Sequence, residues 1–125
     1  MDTEITFTSH LHVSSEHLAC HVGSGDLPVL ATPIMASLME NAAMKAVEAQ
    51  LEKDMTTVGG MLSISHLAPT LEGKDVSATA VLVKEEGRKL EFKVTAHEGE
   101  LLIGEGTHIR YIVERERFMK KAGAQ

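Results

Sequence analysis

Tryptophan is absent from this chain, and its aromatic complement is one tyrosine and three phenylalanines. A core with so few rings must be aliphatic, and seven methionines are available to fill it or to line an adaptable pocket. There is a single cysteine, Cys20, which excludes an intramolecular disulfide and suits a reducing cytoplasm. An excess of basic charge is also missing. The net charge of −6 removes the basic face that nucleic acid requires and opposes an anionic membrane surface. No run approaches the length of a membrane span, and the acidic start Met1-Asp2-Thr3-Glu4 does not read as a secretory leader. What is present is a chain of 125 residues, 43% hydrophobic. That is enough for one globular domain over 1–125.

The run Ala31-Thr32-Pro33-Ile34-Met35-Ala36-Ser37-Leu38-Met39-Glu40 carries the strongest signal. It opens a long apolar helix with one acid in the middle of its greasy stretch. A carboxylate on such a helix needs a partner or a task. Thr32 is a good N-cap, and Pro33 suits the first helical position. Ile34, Met35, Leu38, Met39, Ala42, Ala43, Ala46, Val47 and Leu51 share one broad face at 3.6-residue spacing. The helix is expected to run about 20 residues, near 30 Å at ~1.5 Å per residue.

Strand signals surround it. Residues 3–13 alternate loosely, with Ile5, Phe7, Leu11 and Val13 apolar. A short helical turn follows at Ser14-Ser15-Glu16. Beyond the long helix, strands are expected over 57–67, 76–84, 90–96 and 101–113, with turns at Glu85-Glu86-Gly87-Arg88 and Glu98-Gly99-Glu100. Residues 114–125 read as a short helix or a tail. The order is strand, long helix, then four strands joined by short turns. This predicts an α+β domain, a five-stranded antiparallel sheet wrapped around a long central helix. Its open edges suggest a homodimer that continues the sheet, or a tetramer built from it.

This arrangement resembles the hotdog fold, and its segments resemble the fluoroacetyl-CoA thioesterase-like family. The matching stretches are Val13-Ser14-Ser15-Glu16-His17, Leu30-Ala31-Thr32-Pro33 through Leu38-Met39-Glu40, Val58-Gly59-Gly60 through Ser65-His66, Gly87-Arg88-Lys89-Leu90, and Gly104-Glu105-Gly106-Thr107-His108. The resemblance implies Thr32, Glu40 and His66 as the catalytic set, with the family's glycine at Gly59. It implies hydrolysis of a short or medium acyl-CoA thioester, coenzyme A entering as part of the substrate and no separate cofactor. One departure matters. The fluoroacetyl-specific member has a Phe-rich lid before the Ala-Thr pair, whereas Gly25-Asp26-Leu27-Pro28-Val29-Leu30 contains no Phe. The fluoroacetyl preference is therefore not carried over.

The residues themselves leave several roles open. Glu40 can serve as general base for water or as nucleophile on the thioester carbonyl. His66 can orient Glu40 or protonate the leaving thiolate. Eight helical residues separate Thr32 and Glu40 by ~12 Å along the axis, so they cannot meet as helical neighbours. Either Thr32 sits on a turn that folds back, or the site is shared across a dimer interface, the reading favoured here. Gly59 and Gly60 permit close backbone approach or form a bulge, and their N–H groups or those at the helix start can hold an oxyanion. Val29, Leu30, Ile34 and Met35 are expected to shape the acyl pocket. Arg88, Lys89 and Arg110 are the nearest basic patch for coenzyme A phosphates. His10, His12, His17 and His21 tempt a metal reading, but no carboxylate or Cys motif completes a site and no metal is expected. Gly104 and Gly106 lie inside a strand, as at a bulge rather than a nucleotide turn. A hydratase or dehydratase on the same fold, or an acyl-CoA binding module, are the competing readings.

Overall fold

The structure, a computed structural model, describes residues 4–124. Met1, Asp2, Thr3 and Gln125, on which the leader and tail readings partly bear, lie outside the described residues. The elements run β1 (Thr6–His12), a 3-10 turn (Ser15–His17), α1 (Ala19–Val22), α2 (Thr32–Glu48), β2 (Met55–His66), β3 (Asp75–Glu86), β4 (Lys89–Glu98), β5 (Leu101–Glu114) and α3 (Arg115–Lys121). The five strands form one antiparallel sheet in the order β1-β3-β4-β5-β2. Helix α2 touches all five strands, so the sheet wraps it as expected. This is the hotdog arrangement.

The helix differs from expectation at both ends. Ala31 is the N-cap, with extended backbone, and Thr32 is the first helical residue with Pro33 behind it. The hydroxyl of Thr32 is engaged elsewhere and does no capping. The helix closes at Glu48 after 17 residues, shorter than the periodicity suggested, and Leu51 falls in the turn beyond it.

Its buried face carries Met35, Met39, Ala42, Ala43 and Val47. These pack against Val76, Ala78 and Ala80 of β3 and Leu90, Phe92, Val94 and Ala96 of β4. Phe92 is the one large ring in this core; the rest is aliphatic. Met35 and Met39 are ordinary packing residues within it. Alanines on both the helix and the strands let the helix axis lie close to the sheet. Each removed methylene of apolar surface contributes about 0.8 kcal/mol, so close packing over this face outweighs any intrinsic helix preference. Ser9 of β1 donates to the Asn41 side-chain oxygen at 2.7 Å and fixes the rotation of the helix against the sheet edge.

The β3–β4 and β4–β5 connections are two-residue hairpins, with Gly87 (φ +61°) and Gly99 (φ +59°) at the first loop position. That position needs positive φ in such a turn, which explains both glycines. A bulge does occur in β5, but at Ile103, where the pairing steps from Gly104–Ala96 to Leu102–His97. Gly104 and Gly106 have a different cause. A Cβ at Gly104 would stand 2.5 Å from the Met35 sulfur, and one at Gly106 would overlap the Ser63 carbonyl oxygen of β2. Both glycines mark where helix and neighbouring strand press on β5.

A side chain at Gly106 can fit only if β2 moves. Gly106→Ala should lower stability by roughly 1–3 kcal/mol through overpacking. Gly25→Ala, whose new Cβ would meet only the Ala19 Cβ at 3.4 Å, should leave Tm nearly unchanged. Calorimetry of the two variants tests this; equal Tm values would refute the close approach.

Candidate active site

Thr32 is placed by its upstream strand of loop. The Ala31 N–H donates to the His17 carbonyl at 2.9 Å, the Leu30 N–H to the Thr70 carbonyl at 2.8 Å, and the Ala19 N–H to the Val29 carbonyl at 2.8 Å. The chain therefore enters α2 pinned from two sides, with the Thr32 side chain exposed at the first turn. His66 arrives from the other direction as the last residue of β2. Leu67 then donates to the Ile103 carbonyl at 2.7 Å, and Pro69 ends the extended run. Thr32 Oγ1 and His66 Nδ1 meet at 2.7 Å.

Burial holds the His66 imidazole below the usual histidine range. The Ala68 backbone lies close enough to oppose this in part. It does not reach hydrogen-bond alignment, and among the described residues His66 Nε2 is buried without a partner. The ring is thus a neutral imidazole with one nitrogen on the Thr32 hydroxyl and one free. If the hydroxyl donates to Nδ1, Nε2 carries the proton. If Nδ1 donates, Nε2 offers a lone pair. Either form suits proton transfer near pH 7.

This pair borders a cleft of about 310 Å³ whose walls include Val29, Leu30, Leu67, Ala68 and Pro69. Val29 and Leu30 are thus among the walls of this cleft. Ile34 and Met35 do not line it. Ile34 packs against the core and Met35 is buried over Gly104, because the first turn of α2 directs both toward the sheet.

Glu40 belongs to a second cluster, two turns along α2. Its carboxylate stands over Gly59: a Cβ there would lie 3.1 Å from Glu40 Oε2, 3.4 Å from His108 Cε1 and 3.6 Å from Arg110 Nη1. A side chain at Gly59 would press on the Glu40 carboxylate and meet His108 and Arg110 at ordinary contact distance. Gly60 is the extra residue of a β2 bulge, with the Tyr111 ring over it. The two glycines thus have separate structural causes.

Arg110 is 6% exposed and faces the helix, not the surface. It donates from Nε to Thr57 Oγ1 at 2.8 Å and from Nη2 to the Thr57 carbonyl at 2.9 Å. Its Nη1 lies 3.2 Å from His108 Nε2, and His108 Nδ1 lies 2.8 Å from the Met61 carbonyl. A guanidinium only donates, so Nε2 accepts and the His108 proton sits on Nδ1. Burial chiefly holds His108 below its ordinary pKa; the Met61 bond opposes this, the Arg110 charge reinforces it and the Glu40 charge opposes it. Burial also pulls Arg110 down, and Glu40 opposes. Arg110 consequently takes no part in a basic surface patch. Arg88 is exposed at the β3–β4 hairpin, its carbonyl accepting from the Ile112 N–H at 2.9 Å, at the opposite end of the sheet from His66.

His108 and Thr57 were not singled out from sequence. Their signal is alternation: 104, 106, 108, 110 and 112 share the inward face of β5, so His108 and Arg110 are polar residues where apolar ones belong. The His17 and His21 rings bind locally, to Ser14 and to the Ser15 carbonyl. No three His, Cys, Asp or Glu side chains come together as a metal site among the described residues.

Comparison with known proteins gives this geometry a class. A variant of a fluoroacetyl-CoA-specific thioesterase, solved with fluoroacetate and CoA, superposes with a TM-score of 0.84 at 34% identity over 94% of this chain and 99% of that one. A Thermus thermophilus member of the thioesterase superfamily superposes with a TM-score of 0.88 at 27% identity, covering 97% and 90%. The fold is that of the hotdog thioesterases. The fluoroacetyl-CoA thioesterase of Streptantibioticus cattleyicolor is 40% identical over 93 residues, 74% of this chain and 67% of that protein. The profile of the FlK family, fluoroacetyl-CoA-specific thioesterase, matches residues 13–116, and the chain belongs to that family.

The buried histidines set a pH dependence. Both His66 and His108 have folded pKa values below the unfolded value of 6.5. The unfolded chain therefore binds more protons in the window between the two, and stability rises with pH across it. The contribution should be complete above 6.5 and be lost as the pH falls below that value. Tm followed from neutral to mildly acidic pH should decline, and His108→Gln should flatten the decline. Parallel slopes in the two proteins would remove His108 from this account.

Proposed function

We propose that this protein hydrolyses acyl-CoA thioesters, of a short or medium acyl group, to the free acid and coenzyme A. The observation that carries the reading is the 2.7 Å Thr32–His66 pair at the border of an apolar cleft, in a chain of a thioesterase family. Thr32 holds the thioester or the attacking group. Glu40 takes a proton from water as it attacks the carbonyl carbon, or attacks first and leaves an anhydride for water to cleave. Neutral His66 accepts the proton released in the attack and, as imidazolium, hands it to the departing coenzyme A thiolate. Backbone N–H groups at Gly59, Gly60 or the start of α2 stabilise the oxyanion.

The groups are divided between two places. Along α2, Thr32 and Glu40 are ~12 Å apart. Along β2, Gly59 and His66 are separated by roughly 20 Å at strand rise. One carbonyl carbon cannot sit beside both clusters of a single protomer. Strand β2 is an edge strand, and its twelve residues, Met55–His66, contain no charged side chain and no proline to block pairing. Antiparallel pairing of β2 with a second copy, centred near Leu62, sets Gly59 of one chain beside His66 of the other. The site then combines Thr32 and His66 of one protomer with Glu40 of the partner subunit. We therefore infer a homodimer with two shared sites. The net charge of −6 speaks against nucleic acid or an anionic membrane as partner, and among the described residues no helix is long and apolar enough to cross a membrane. The single thiol fits a cytoplasmic setting.

Glu40→Gln and His66→Ala should each lower thiol release from acyl-CoA by on the order of 100-fold or more without loss of the folded dimer. Near wild-type turnover in both would sink the assignment. Mixing the two inactive variants tests the shared site. After subunit exchange, half the dimers are mixed and each contains one intact site, so about a quarter of wild-type activity should return. A mixture that stays dead while exchange is demonstrated would place the whole site in one protomer.

A further inference from the structure

We infer that the cleft beside Thr32 and His66 is an acyl-chain site selective for an uncharged apolar chain of roughly four to eight carbons. This rests on the thioesterase reading of the same site and narrows its substrate.

The walls give the chemistry. Six of the nine lining residues are apolar, Ala19, Val29, Leu30, Leu67, Ala68 and Pro69. The remaining three are Ser24 and the Thr32–His66 pair. No arginine, lysine, aspartate or glutamate is among them. A terminal carboxylate on the acyl group would find no counter-charge there and would lose its water. Arg110 is buried and its donors are committed to Thr57 and His108, so it offers no free charge to an acyl carboxylate.

The volume gives the size. At about 310 Å³ the cleft has room for on the order of ten water-sized groups, taking ~30 Å³ for each. A two-carbon acyl group with its thioester sulfur fills less than half of that. The remainder would stay wetted against an aliphatic wall, and every added methylene removes part of that contact.

The rim agrees. Leu27, Leu67 and Leu71 are 65%, 51% and 59% exposed. Leu67 belongs to the wall itself; Leu71 pairs with the wall residue Val29, and the Leu27 carbonyl accepts at 3.2 Å from the N–H of Cys20, next to the wall residue Ala19, so both flank the cleft. Residues 20–28 are all exposed, and no ring from that segment closes over the opening. Three leucines facing water around an apolar opening are covered when a chain longer than acetyl lies between them.

The test is kcat/KM for acetyl-, fluoroacetyl-, butanoyl-, hexanoyl-, octanoyl- and succinyl-CoA with the full chain. Burial of one methylene is worth about fourfold, and about threefold in a half-open cleft. The expected profile climbs by that factor per carbon from acetyl to at least hexanoyl, with succinyl-CoA about thirtyfold or more below butanoyl-CoA. A flat or falling profile, a best rate with fluoroacetyl-CoA, or succinyl equal to butanoyl would overturn the inference. Ala68→Phe, or Val29→Phe if that chain fails to fold, should lower the hexanoyl-to-acetyl ratio about tenfold. An unchanged ratio puts the chain elsewhere. If no thioester is cleaved, the hydrolase reading fails on its own. The cleft is then judged by binding of S-ethyl- and S-hexyl-CoA thioethers: hexyl binding tighter by about eightyfold, about threefold for each of the four added methylenes, upholds it, and equal affinity overturns it.

Discussion

A guanidinium that is almost wholly buried must be answered from within the protein, and around Arg110 the rest of the inner face is arranged. Thr57 accepts two of its N–H groups, His108 accepts a third, and the Glu40 charge stands across Gly59 from it. Removing any one partner would leave a buried donor without an acceptor, which costs far more than the bond itself contributes. The constraint reaches outward in sequence. It requires a neutral His108 that donates its Nδ1 proton to the Met61 carbonyl, and an inward threonine at 57.

The helix ties this cluster to another with a different character. At its N-terminal end the polar groups are few and uncharged: a hydroxyl, an imidazole and an apolar cleft. At the Glu40 turn they are charged and packed. A rigid rod of 17 residues inside a wrapped sheet keeps the two at fixed separation. Neither cluster can drift toward the other without unpacking Met35, Met39, Ala42 and Ala43 from the strands. Close approach at Gly104 and Gly106 enforces the same spacing from the sheet side.

Much of this was legible beforehand. Five strands and one long helix followed from two-residue and 3.6-residue periodicities that do not compete along this chain. Glu40 stood out as an acid on an apolar helix, whereas Thr32 and His66 joined it through the family resemblance. What failed had local causes. Thr32 looked like an N-cap because capping depends on sequence, but its hydroxyl was taken by His66, thirty-four residues away, and that contact is tertiary. Arg110 read as surface because arginines normally are, and only its register beside Gly104, Gly106 and His108 turns it inward. Ile34 and Met35 were expected in the pocket, but they lie on the face of α2 that packs against the sheet, and the sequence does not say which part of an apolar helix face borders a cleft. Gly104 and Gly106 are explained by the strand and helix that crowd β5, which no local rule reports.

The two tight hairpins also bear on how the chain reaches this state. β3, β4 and β5 are neighbours in sequence as well as in space, so their pairing closes only short loops. The outer strands must come from far away. Thr8 meets Thr79 across 71 residues, and Met61 meets His108 across 47. Loop-closure entropy therefore favours the three-stranded meander first and delays both edges. Each proposed catalytic side chain lies on α2 or on the late edge β2, so chemistry is assembled on the slowest part of the fold, over a platform that forms without it.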